Sequence, residues 1–153
     1  MPISFPPFAK VPIRRQLVLA EALFRTLIAW GMIRLLPFRL WRRWLGQEVP
    51  LDSLPRRSWR PKHIKDSVIG DVVWAHAIIE ARLEVVFTCL MIGFSSRAML
   101  RRRGYDSLLV LGVGRSGDQQ DKNLAAHAWV VYRDWDISGG TNKHEYSAVS
   151  AYR

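Results

Sequence analysis

A chain of 153 residues, 49% hydrophobic and 11% aromatic, has the length of one domain and enough apolar mass to bury a core, which excludes a disordered chain. The formal charge of +10 is uneven: residues 1–60 hold 11 Lys/Arg against three acids, and residues 61–153 hold 12 against 10. A single cysteine excludes an internal disulfide and a Cys-rich zinc site, and it fits a reducing compartment.

Residues 1–12 contain Pro2, Pro6, Pro7 and Pro12 and read as an extended strip. Residues 14–36 predict one amphipathic helix, with Leu17, Ala20, Leu23, Phe24, Leu27, Ile28 and Met32 near helical period and Pro37 marking its end. Its longest uncharged run, 26–33, has eight residues against about 20 for a membrane span, and no cleavage site follows it. The expectation is therefore neither a span nor a signal peptide. Residues 38–45, rich in Arg and Trp, predict a short helix stopped by Gly46, and a connector with Pro50, Pro55 and Pro61 follows.

A second long helix is expected over 66–87, from Ile69, Val72, Val73, Ala77, Ile78, Ala81, Leu83 and Val86. Thr88 is the N-cap of the next helix, which carries Cys89 in its first turn and ends in Arg101, Arg102 and Arg103 before Gly104. Cations in a last turn suit the helix dipole and need no ligand. Strands are expected at 107–113, 126–132 and from 135 to 138, with a polar turn over 114–123 and a stop at Gly139-Gly140. The order is α+β: helices first, then an antiparallel meander.

Chemistry centres on Cys89 and on His127, which lies 38 residues later. A thiol at a helix N-terminus meets unpaired N–H groups and the positive dipole end, both of which favour thiolate. His127 on the adjoining strand can take the thiol proton, and the N–H groups can receive an oxyanion. The plainer alternative is that Cys89 and His127 are both core residues, since Cys is commonly buried and His127 sits in an apolar strand.

Residues 66–147 resemble the leader-peptidase (B protein) family of lasso-peptide biosynthesis, which has a transglutaminase-like, papain-like fold. The strings that carry it are Cys89-Leu90, Leu100-Arg101-Arg102-Arg103-Gly104, Leu109-Val110-Leu111-Gly112-Val113, His127-Ala128-Trp129-Val130 and Gly139-Gly140, in the family's order. The Leu/Arg helix followed by Leu-Pro-Phe is similar to the family's N-terminal region. The resemblance implies a basic helical region, 1–60, packed on a cysteine peptidase core, 61–153, in which a Cys-bearing helix lies against an antiparallel sheet. It implies Cys89 as nucleophile and His127 as base. Many relatives place an Asp twelve residues after that His, where this chain has Gly139. Asp136 is carried as the candidate third catalytic residue, with a backbone carbonyl, Ser138 or Asn142 as alternatives.

The resemblance further implies a precursor peptide as substrate, a leader-recognition protein acting in trans, and an ATP-dependent macrolactam synthetase as partner. The sequence itself holds no phosphate loop. His63, His76 and His144 lack ligand spacing, so neither a metal nor another cofactor is expected. Segment 38–45 could touch RNA, but such helices more often face solvent, a partner or lipid headgroups, so no nucleic acid is expected. Residues 14–45 are instead expected to make peripheral membrane or partner contact, with Trp41, Arg42, Arg43 and Trp44 outward, on a protein of the cytoplasm at the inner membrane face. The competing reading is an inactive module that binds precursor peptide or scaffolds the synthetase, favoured by Gly139 standing where relatives have Asp. Amine transfer in place of hydrolysis stays open at this point.

Overall fold

The computed structural model describes residues 11–56, 58, 67–83, 85–115, 124–139 and 143–153. The strip at 1–10, the turn residues 116–123, His63, Gly140 and Asn142 lie outside the described residues.

Helix α1 runs Ile13–Leu35 and buries Leu19, Ala22, Thr26, Ala29 and Met32, three or four residues apart on one face. It ends where Pro37 forces an extended Leu36. The Arg/Trp segment divides into α2, Phe38–Trp41, and a tighter turn of helix, Arg42–Leu45. Helix α3 spans Ser67–Leu83, ending four residues before the expected limit because the chain turns through Val85 and Val86. Helix α4 is Cys89–Arg102 with Thr88 as N-cap, whose own N–H reaches the Met91 Sδ at 3.5 Å. Gly104, at φ 82°, closes α4, and the Tyr105 N–H returns to the Leu100 carbonyl at 3.0 Å.

The sheet has five antiparallel strands: β1 Glu48–Val49, β2 Leu108–Arg115, β3 Leu124–Tyr132, β4 Trp135–Ser138 and β5 Tyr146–Tyr152, in the order β1-β5-β2-β3-β4. The expected meander is present as β2-β3-β4, but β5 crosses back to the other side of β2, and sequence reasoning found neither β5 nor β1. β5 alternates small and polar residues (Ser147, Ala148, Ser150, Ala151), so no apolar run announces it. Between β3 and β4 the chain turns at Arg133, which has φ 54°. The register then slips, from Val131 opposite Asp136 to Val130 opposite Ser138, so Ile137 is an extra residue whose side chain is fully buried.

Helices α1, α3 and α4 share one core with Leu109, Ala128, Val130 and Ile137 of the sheet. A smaller cluster of Val110, Trp129, Val131 and Ala151 is packed by Val49 and Leu54. Polar clasps hold the N-terminal region to the rest: at the start of α1, Arg14 and Arg15 meet buried Asp71 of α3 at 3.1 and 2.9 Å. Glu21 of α1 takes Arg103 at 2.6 Å and Arg102 at 3.3 Å, so the triple arginine does more than face a dipole. Buried Arg97 of α4 donates to the carbonyls of Leu45, Trp44 and Tyr152, closing the end of the Arg/Trp segment over the sheet.

Candidate functional site

Cys89 is the first residue of α4 and is partly buried. His127 sits in the first half of β3, paired with Gly112 of β2. Among the described residues β4 pairs with β3 only through 130–132, so the α4 N-terminus approaches β3 beyond the end of that pairing. There the Cys89 thiol meets three groups: the His127 imidazole, the Ala128 N–H of β3 and the Leu90 N–H of its own helix.

Those contacts decide the protonation. Burial alone would raise the Cys89 thiol, but hydrogen bonding to His127, the Ala128 N–H, the His127 charge and the Leu90 N–H together carry it below its ordinary value. His127 moves the opposite way. Its hydrogen bond to Cys89 raises it against the effect of burial, helped by the Gly139 carbonyl and by the charges of Cys89 and Glu80. A thiol pulled down beside an imidazole pulled up is a pair biased toward thiolate and imidazolium.

The imidazole is oriented by backbone. His127 Nε2 lies 2.6 Å from the Gly139 carbonyl oxygen, which can only accept, so Nε2 carries the proton and Nδ1 is the acceptor of the neutral ring. Gly139 is held in turn, its N–H donating to Glu80 Oε1 of α3 at 2.9 Å. Its φ of 67° is a left-handed conformation, and a Cβ there would run into the Ala128 carbonyl oxygen. Tyr146 stacks on His127 with centroids 4.7 Å apart, and Trp129 does so at 6.0 Å.

The structure thus brings Cys89 and His127 together and places Asp136 elsewhere, buried in β4 opposite Val131. The hydrogen bond expected of Asp136 is made by the Gly139 carbonyl, one of the alternatives drawn from sequence. The bulge at Ile137 is the physical reason, because it shifts the residues after it by one position relative to β3. Ser138 is occupied too, with its Oγ 2.8 Å from that of Ser96 on α4. Glu80 and Tyr146 escaped sequence reasoning. Glu80 is one residue of a long helix with no motif around it, and Tyr146 lies on the strand that was not found. Among the described residues no three His, Cys, Asp or Glu converge as a metal site.

A thiol at a helix N-terminus, hydrogen-bonded to an imidazole and facing two N–H groups at a sheet edge, is an arrangement suited to acyl transfer through a thioester. The model of the transglutaminase-like superfamily matches residues 32–151, and the chain belongs to that superfamily, which includes cysteine peptidases. No curated protein and no solved structure matches the chain.

Proposed function

We propose that this protein is a cysteine peptidase that removes the leader from a lasso-peptide precursor. The observation that carries the chemistry is the Cys89 thiol hydrogen-bonded to His127 and cradled by the Ala128 and Leu90 N–H groups. The thiolate adds to the carbonyl carbon at the leader–core junction, and the oxyanion is received by N–H groups around the α4 N-terminus. His127, protonated on forming the thiolate, gives its proton to the departing amine as the C–N bond breaks. Water then attacks the thioester, His127 takes its proton, and Cys89 is released. The choice of substrate rests on the family resemblance of the ordered strings from Cys89 to Gly139-Gly140. So do the partners: a leader-recognition protein in trans and an ATP-dependent synthetase that closes the ring. Purified protein with its recognition partner should cut the precursor, and Cys89→Ala should abolish the cut. Undiminished cleavage by that variant overturns the assignment.

The second reading, an inactive module that binds precursor or scaffolds the synthetase, was favoured by Gly139. That support weakens once a carbonyl occupies the orienting position. Product mass with and without added amine separates hydrolysis from amine transfer.

A further inference from the structure

Helix α1 is apolar on two faces. One packs on α3 and α4; the other carries Ile13, Leu17, Phe24, Leu27, Ile28 and Leu35, which fall on one side of the helix at its period, with exposures of 69% at Ile13, 65% at Leu17, 64% at Phe24 and 77% at Leu35. The row spans about 34 Å of helix and continues through exposed Phe38, Leu40 and Trp44. By length and composition α1 could cross a bilayer, contrary to the expectation from its eight-residue uncharged run, yet its five buried side chains seat it on the domain. From Ala22 to Gln47 the chain has five arginines and no acid, and among the described residues only Arg25 of these reaches an acid, Glu21. Beside the row, Ile28, Met32, Trp44 and Phe94 line a cleft of about 180 Å³ with Arg101 on its wall.

We propose that this face is a docking surface for an anionic lipid bilayer, with α1 lying in the interface plane. A second copy would set the same arginines against one another, whereas a surface of lipid phosphates complements both the apolar row and the positive charge beside it. Arg34, Arg39, Arg42 and Arg43 then meet lipid phosphates, each multiplying affinity about fivefold. The test is co-sedimentation of the full chain with phosphatidylcholine vesicles, with and without 30% phosphatidylglycerol, at low and high salt. Binding should need the anionic lipid and fall more than tenfold at high salt. It should be lost in Leu17→Glu/Phe24→Glu and weakened in Arg39→Gln/Arg42→Gln/Arg43→Gln, with urea midpoints within error of the parent. Equal binding to both vesicles, binding to neither, or a dimer that Leu17→Glu/Phe24→Glu dissolves overturns the proposal.

A different observation carries a second inference, which rests on the peptidase reading. The geometry assigns Glu80 as the positioning residue for His127: it anchors the Gly139 N–H while the carbonyl of the same residue holds Nε2. Glu80 on α3 thereby does from a helix what an Asp on the strand does in relatives. The readout is the pH profile of Cys89 alkylation by iodoacetamide, which needs no peptide substrate and survives even if the precursor is never cut. Glu80→Gln keeps an acceptor and loses the charge, and should slow alkylation at neutral pH about threefold; Glu80→Ala should slow it about tenfold, with the profile moved to higher pH in both. An unmoved profile, whatever happens to the unfolding midpoint, makes Glu80 merely structural and overturns the assignment.

Discussion

Two histidines of this fold contact α4 less than two turns apart, at Cys89 and Ser95, and are shifted in opposite directions. His127 touches the first residue of α4 and is raised by the thiol it meets. His76 of α3 is wholly buried against the middle of α4, with Nδ1 2.9 Å from the Val72 carbonyl oxygen and Nε2 3.0 Å from Ser95 Oγ, and burial drives it down to about 4. The Ser95 oxygen also lies 3.1 Å from the Ala22 carbonyl of α1, so His76 belongs to a knot of three helices. The lesson is that the partner, not the residue type, sets the role. An ionisable neighbour at an edge makes a proton acceptor, whereas hydroxyl and carbonyl neighbours in a dry core make a neutral fastener.

The sharpest way to break this comparison is to remove the partner. His127→Ala takes away the hydrogen bond and the charge that lower the thiol, and Cys89 alkylation at pH 7 should slow about 10- to 100-fold, read by mass spectrometry. Ser95→Ala, at the other histidine, should leave that rate unchanged. Next in size is Gly139→Ala. A left-handed backbone and a Cβ driven toward the Ala128 carbonyl should cost about 2–4 kcal/mol in urea unfolding and disturb the Nε2 contact, slowing alkylation as well.

Arg97→Met probes a clasp whose hydrogen bonds involve neither histidine. Its loss strands the carbonyls of Leu45, Trp44 and Tyr152 and should cost about 1–3 kcal/mol, with alkylation unaffected. The smallest effect is a pH dependence with a definite sign. Because His76 is depressed in the folded state, the unfolded chain binds its proton first, so this stabilisation is complete above about 6.5 and is lost as pH falls toward 4. Glu21 follows in a lower window. Burial would raise it, but hydrogen bonds and charge from Arg103 and Arg25 take it to about 2, so its contribution holds above 4.5 and is lost as pH falls toward 2. Unfolding midpoints of parent and His76→Gln should therefore converge between pH 6.5 and 4, and parallel curves would sink the account.

What could be read along the chain was whatever is local. Residues 14–36, the Thr88 cap and the Gly104 stop follow from period, capping and backbone freedom, which neighbouring residues settle among themselves. Cys89 and His127 stood out for the same reason, as rare chemical types at a helix start and in a strand. The third position did not, since it is filled by a carbonyl that every residue owns and is aimed by a bulge no residue type announces. Nor could α1 show which of its two apolar faces would stay outside. Only the packing of α3 and α4 against Leu19, Ala22 and Met32 decided that, because a hydrophobic pattern says that a face is to be covered and only the fold says by what.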